Sequence, residues 1–274
     1  MGYMSGGVFR FLYRLKRRVW NSINMVRMLA RENLLLIRFD GLPMYVRPTI
    51  DTLTYLVLPF EPFTRTLFKR ALKHGATVLD IGAHYGYYSV IAAKRVGREG
   101  RVYAFEPAPT NFDILTRNIK LNEYTDVIEA VKKAVVEKRG KAMLSLSRHF
   151  DSTHHLHHSA GISKHVSVEC ITIDEFLRGQ HVDVIKMDIE GSEPYALEGM
   201  KRTVRRCDNL ILFTEFAPDF LRRAGVEPLD YIHQLESMGF NVRLIDEVSF
   251  CLKPAKNSSL SKMSWYANLY CTKN

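Results

Sequence analysis

The chain has 274 residues, 46% hydrophobic and 25% charged, an ordinary composition for a folded globular protein that excludes wholesale disorder. Lys plus Arg number 39 against 29 Asp plus Glu, a formal charge of +10 that invites nucleic acid, a membrane surface or an acidic substrate. There is no run of about 18 uncharged apolar residues, so no apolar helix spans a membrane.

The charge is concentrated at one end. Residues 1–38 hold eight basic groups and one acid, Glu32, which is +7, and the remaining residues carry +3. Within residues 1–33, Val8, Leu12, Leu15, Val19, Ile23, Val26 and Ala30 fall at helical spacing and make one apolar stripe, with Arg10, Arg14, Arg17 and Arg18 on the other side. The basic groups interrupt any signal-peptide-like apolar stretch. Three readings stay open for this helix: packing on its own domain, lying on anionic lipid, or gripping RNA. Phe9, Phe11, Tyr13 and Trp20 among the basic groups suit the second and third.

Residues 34–74 read as a lead-in, with a hairpin over 34–48 turning at Asp40-Gly41 and an apolar helix around Phe63–Leu72. From residue 75 to 274, short apolar runs alternate with helices. Strands are expected at 77–81, 101–105, 126–131, 141–147, 165–171, 182–187, 209–215, 241–245 and 265–271. Helices are expected at 87–96, 111–122 and 229–238, with another after residue 192, capped by Ser192 and carrying Pro194 in its first turn. The pattern predicts an α/β fold with a doubly wound, mostly parallel sheet, whose ligands lie at the carboxyl ends of the strands. Cys170, Cys207, Cys251 and Cys271 include no CxxC pair, and read as buried thiols of a reducing compartment.

The stretch VLDIGAHYGYYS, residues 78–89, runs a buried strand into Asp80, then Gly82 and Gly86, then a helix. Glu106 ends the next strand, where an acid suits the hydroxyls of a ribose. A dinucleotide's pyrophosphate favours GxGxxG at a helix N-terminus. Here the spacing is GxxxG behind Asp80, whose charge opposes a pyrophosphate and suits the ammonium and sulfonium of S-adenosylmethionine. The residues favour this methyl donor over NAD, with a ligand-free glycine turn as the third reading.

In KMDIEGSE, residues 186–193, strand alternation puts Lys186, Asp188 and Glu190 on one side. The acids read as a general base or substrate contact, as oxygen ligands of a divalent metal, or as partners of Lys186 in an ion pair. Glu215 ends the next strand and is a further candidate for the same cleft. Residues 149–159 contain His149, His154, His155, His157 and His158. Substrate contact or proton transfer by one of them, a solvated loop and a metal site remain as alternatives.

Four blocks together resemble the FkbM-type S-adenosylmethionine-dependent methyltransferases: VLDIGAHYGYYSVIAAK, VYAFEPAPTNFDILTRNIKLN, the KKAVVEKRGKAMLSLS region, and ITIDEF followed by VDVIKMDIEGSE. They span about residues 75–216, with a weaker match over 34–72. The resemblance implies a class I, Rossmann-like methyltransferase domain over 75–274. It implies that Asp80, Gly82, Ala83, His84 and Gly86 line the methionine end, and that Glu106 holds the ribose with Pro107 and Asn111 beside it. The resemblance also implies that Ala134 lies near the adenine. His84 stands where the family usually has Asn.

The expected reaction is O-methylation of a sugar, glycan, glycolipid or small metabolite, with Asp188, Glu190 or His154 handling the hydroxyl proton and no metal assigned. An RNA methyltransferase and a non-catalytic binding protein are the alternatives. The expected setting is cytoplasmic, with peripheral contact to an anionic membrane through residues 1–32.

Overall fold

The structure is a computed structural model, and it describes residues 34–49, 60–146, 164–256, 260, 263 and 266–273. The amphipathic segment 1–33 and the histidine cluster at 149–158, His154 included, lie outside the described residues.

β1 (Leu35–Phe39) and β2 (Leu42–Val46) form the expected hairpin. Asp40 and Gly41 have φ of 49° and 77°, the double positive φ of a type I′ turn. Leu42, Met44 and Val46 alternate inward, and Met44 and Val46 pack with Tyr85 and Ile114. Asn118 ties the hairpin to the domain by behaving like a neighbouring strand. Its Oδ1 accepts from Tyr45 N at 2.6 Å, and its Nδ2 donates to Tyr45 O at 2.9 Å.

Next come α1 (Pro62–Ala71), β3 (Thr77–Ile81), α2 (Tyr87–Val96), β4 (Arg101–Phe105), α3 (Pro109–Leu121) and β5 (Ile128–Val131). A side unit follows, made of β6 (Ala134–Val135), β7 (Gly140–Leu146) and β8 (Lys164–Ile171), with β8 in the middle. The chain returns through α4 (Ile173–Leu177) to β9 (Val184–Met187), α5 (Glu193–Glu198), α6 (Lys201–Arg206), β10 (Ile211–Phe216), α7 (Pro218–Arg223) and α8 (Pro228–Ser237). β11 (Asn241–Asp246), β12 (Cys251–Pro254) and β13 (Ala267–Thr272) complete the described elements.

The main sheet has the order β12-β11-β13-β10-β9-β3-β4-β5. β10, β9, β3, β4 and β5 are mutually parallel, while β13 runs antiparallel between β10 and β11. Both faces are covered, so the parallel strands read as continuous apolar runs. Val78, Val184 and Phe213 pack with α1 to α3 on one face. Leu79, Ile185 and Leu212 pack with α5, α6 and α8 on the other. The chain moves from β3 outward through β4 to β5, and later returns to place β9 on the opposite side of β3. The crevice between β3 and β9 is therefore the topological switch point.

Two expectations are corrected. Ser192 precedes α5 but caps nothing: its backbone (φ −91°, ψ 2°) is not the extended conformation that carries a hydroxyl over the first turn, and its Oγ is buried without a hydrogen-bond partner. The alternation from Lys186 to Glu190 also ends early. Asp188 still shares the face of Lys186, but Glu190 (φ 57°) and Gly191 (φ 95°) form a turn. All four cysteines are free thiols, with Cys170, Cys207 and Cys271 buried.

Candidate active site

At the end of β3, Gly82 N and Ala83 N both donate to Phe105 O, at 3.0 and 2.9 Å, which pins the glycine loop to the end of β4. Gly82 has φ +85°, and a Cβ there would lie 1.9 Å from the carbonyl oxygen of Asp188, so the loops after β3 and β9 meet at this glycine. His84 takes φ 51°, a left-handed conformation in which Asn and His are enriched, and its ring stacks on Tyr85 with centroids 3.7 Å apart. Gly86 closes the turn, with its N–H donating to Ala83 O at 2.7 Å, and leads into α2.

Glu106 is held by backbone from both sides. Oε2 accepts from His84 N at 2.9 Å and Oε1 from Ala108 N at 2.8 Å. Burial outweighs these two bonds and pushes its carboxyl up to about 7. Asp80 is buried one layer below and accepts from the hydroxyl of Ser89 at the start of α2. Burial pushes its carboxyl up to about 6, although Lys186 opposes the rise.

A cleft of about 580 Å³, measured out to its open mouth, lies over the switch point. Six of the nine expected donor residues line it: Gly82, His84, Glu106, Pro107, Asn111 and Ala134. Asp80, Ala83 and Gly86 stand behind the lining. Asp80 braces α2 through Ser89, Ala83 packs in the core under α2, and Gly86 abuts Leu115. Asp188, Ile189, Glu190 and Ser192 form the facing wall, and Lys133 and Leu144 of the side unit also line the cleft.

Asp188 and Glu190 thus reach one cavity, through a turn rather than along a strand. Lys186, 1% exposed, donates from Nζ to Asp188 Oδ2 at 2.9 Å, so the ion-pair reading of these residues is realised. Burial alone would lower the lysine, but Asp188 and Glu61 outweigh it and hold it above the usual lysine value. Among the described residues no group of three or more His, Cys, Asp or Glu is placed to hold a metal ion.

Sequence reasoning did not find the polar layer under this wall. Glu61 is buried just before α1, accepting from the Tyr88 hydroxyl and from Asn268 Nδ2, the latter at 2.6 Å. Its partners come from α2 and β13, and no local motif announces them. Glu193 ties the turn together, accepting from Ile189 N at 2.8 Å and Gly191 N at 2.9 Å. The DIEGSE block contained that signal, a carboxylate following a glycine turn.

A family model described as the methyltransferase FkbM domain matches residues 80–242. The methyltransferase sdnD of Sordaria araneosa is 23% identical over 197 residues, covering 60% of this chain and 73% of that protein. A SAM-dependent O-methyltransferase from Thermotoga maritima shares 14% identity at a TM-score of 0.45, covering 87% of this chain and 77% of its own. An rRNA methylase from Streptococcus thermophilus shares 13% identity at a TM-score of 0.45, covering 78% of this chain and 93% of its own. With its glycine loop, buried acid and acidic wall gathered at the switch point of a mostly parallel, doubly wound sheet, the chain belongs to the FkbM methyltransferase family.

Proposed function

We propose that the chain transfers a methyl group from S-adenosyl-L-methionine to a hydroxyl oxygen of a sugar, glycan, glycolipid or small metabolite. The carrying observation is a cleft at the switch point with a carboxylate fixed by two backbone N–H groups on one side and an acidic wall on the other. The residues fit this donor. Each Glu106 oxygen accepts one backbone N–H and keeps a lone pair for a ribose hydroxyl. Asp188 and Glu190 oppose a pyrophosphate and suit positive charge. Ser192 Oγ, buried in the cleft wall without a hydrogen-bond partner, is available to a polar group of the donor's amino-acid end.

When bound, S-adenosylmethionine supplies an electrophilic methyl on a positively charged sulfur. The chain's own part is alignment and proton handling. Gly82 lets the β3 and β9 loops touch, which fixes the width of the cleft beside Asp188. Alignment of this kind supplies up to about 7–11 kcal/mol of the barrier. Lys186 fixes the Asp188 carboxylate, which accepts the acceptor's hydroxyl proton as the new O–C bond forms. General-base assistance contributes roughly 10²–10⁴ in rate.

Calorimetric titration with S-adenosylmethionine tests the donor. Binding to wild type and its loss in the Asp80→Ala, Glu106→Ala double variant are expected, and binding unchanged in that variant rejects the assignment. Asp188→Asn is expected to keep donor binding and lose turnover by the factor above. A radiolabelled methyl-transfer screen across glycans, lipids and RNA identifies the acceptor class. Transfer to RNA alone replaces the hydroxyl-metabolite reading.

A further inference from the structure

Glu215 is the fifth of the six residues of β10 and stands behind the acidic wall, outside the residues that line the cleft. The β9–β10 register pairs Phe213 with Lys186 and Thr214 with Met187, which brings Glu215 alongside Asp188 on the face that Lys186 shares. It is 8% exposed, and its Oε2 has no hydrogen-bond partner among the described residues. Asp80, Glu61 and Glu193 differ in this respect, since each is bonded as described above. On the other side, Asn268 is the register partner of Glu215 on β13, 4% exposed, and its Oδ1 is likewise an acceptor without a donor.

The charges around Glu215 are unbalanced. Asp188 and Glu190 face it from the loop after β9, Glu193 from α5, and Lys186 from β9. The hydroxyls of Tyr231 on α8 and Tyr266 before β13 also feel its charge. Three carboxylates thus surround it against one ammonium, and that ammonium is bonded to Asp188. Burial first, and these carboxylates second, push Glu215 well above the ordinary glutamate range. A proton on Glu215 relieves the repulsion, and its register partner Asn268 carries an acceptor that lacks a donor.

We propose that Glu215 is the residue by which the site distinguishes charged donor from spent, uncharged product: it carries a proton while the cleft holds no cation and releases it when a sulfonium arrives beside Asp188. The inference rests on the donor assignment above. It also closes the proton balance of the reaction. In transfer the S–C bond breaks, its electron pair stays on sulfur, and an O–C bond forms to the acceptor. Sulfur becomes neutral as the acceptor's hydroxyl loses its proton to Asp188. With the cation gone, Asp188 passes that proton to Glu215, so both acids return to their starting state and the proton freed on donor binding is the one that each methyl transfer liberates overall. Glu215 touches neither reacting atom in this scheme and sets specificity through the charge of the wall.

The test compares S-adenosylmethionine with S-adenosylhomocysteine, which has the same adenosine and amino acid without the sulfur charge. Titration calorimetry of the full chain at pH 6.5, in two buffers of different ionisation enthalpy, counts protons released. Wild type is expected to release more protons, up to about one per site, with the charged ligand than with the neutral one. Its affinity for the charged ligand, relative to the neutral one, should rise with pH, by at most about tenfold per pH unit. Any contribution from Glu106 is common to both ligands and cancels. Glu215→Gln should abolish the difference and lower the charged-to-neutral affinity ratio about tenfold. Equal proton counts in wild type overturn the inference alone, with no dependence on any variant folding. An undiminished difference in folded Glu215→Gln removes the role from Glu215. Absence of binding by both ligands overturns the donor assignment, and this inference with it.

Discussion

At Gly82 the space for one methyl group decides whether the site exists. A Cβ there would sit 1.9 Å from backbone oxygen of Asp188, on a residue already at φ +85°. Gly82→Ala is expected to cost about 3 kcal/mol or more, combining left-handed strain with overpacking against backbone that cannot swing away. Thermal melts check the stability loss, and calorimetry checks the accompanying loss of donor binding; a variant as stable as wild type would show that the two loops are free to separate. Gly82 and Glu106 were legible in the sequence because each lies within a few residues of a strand end, and strand ends are where the sheet puts its ligands, while His84 came only from the family resemblance. Glu61 and Asn268 were not, since they meet across 207 positions and carry no pattern apart from each other. Asp80 was legible as a residue but not as a contact. Only the structure shows its carboxylate turned to Ser89 and set behind the cleft lining.

Among the elements, those with a period and a length were readable, and those made by capping were not. The parallel strands announced themselves as short apolar runs because both of their faces are buried. α4 is only five residues long, too short for any helical period, yet Thr172 accepts from Glu175 N at 3.1 Å, and the Thr-x-x-Glu spacing inside ITIDEF is its signature. α1 is capped from far away. Its start has no side-chain cap of its own, and Glu247, after β11, accepts from Phe63 N at 2.7 Å and Thr64 N at 2.9 Å. That carboxylate also meets the positive end of the helix dipole. Glu247→Ala is therefore expected to destabilise the fold by roughly 1–2 kcal/mol, read as a lowered denaturant midpoint with an unchanged slope. Because Glu61 immediately precedes α1, the same variant should loosen the polar layer under the cleft. A midpoint equal to wild type would mean that water replaces the cap without cost.

For the molecule as a whole, the buried acids make stability depend on pH. Asp80 is raised to about 6, and Glu106 and Glu193 to about 7, above their unfolded values. Each therefore holds its proton more tightly folded than unfolded. The sign follows: their contribution is complete below about pH 4 and is lost as pH rises through 6 to 7. Glu106→Gln removes one of these titrations, so its stability relative to wild type should improve between pH 5 and pH 8, by an amount on the order of 3 kcal/mol. Denaturant titrations at both pH values measure this, and parallel curves for the two proteins would place the Glu106 carboxyl in the ordinary range. The net charge of +10 belongs to a different part of the molecule, with +7 on residues 1–38. Among the described residues no helix is long and apolar enough to cross a membrane. We propose salt-sensitive docking of residues 1–32 on anionic lipid, at ~1 kcal/mol per basic group near the surface. Loss of co-sedimentation with phosphatidylserine vesicles when residues 1–32 are removed is the expected result, and equal co-sedimentation counts against it.

The place of β13 has a consequence for how the chain is made. Its two neighbours, β10 and β11, are translated before it, and the strand that separates them emerges only with residues 267–272. A nascent chain that has reached residue 256 therefore presents two long edges with open backbone groups, and Glu61 still lacks the amide of Asn268. The acidic layer and the sheet are completed together, by one late strand threading between two early ones. A message cut short before Ala267 yields a sticky, half-closed sheet rather than a slightly shortened enzyme, the kind of species that chaperones and proteases recognise.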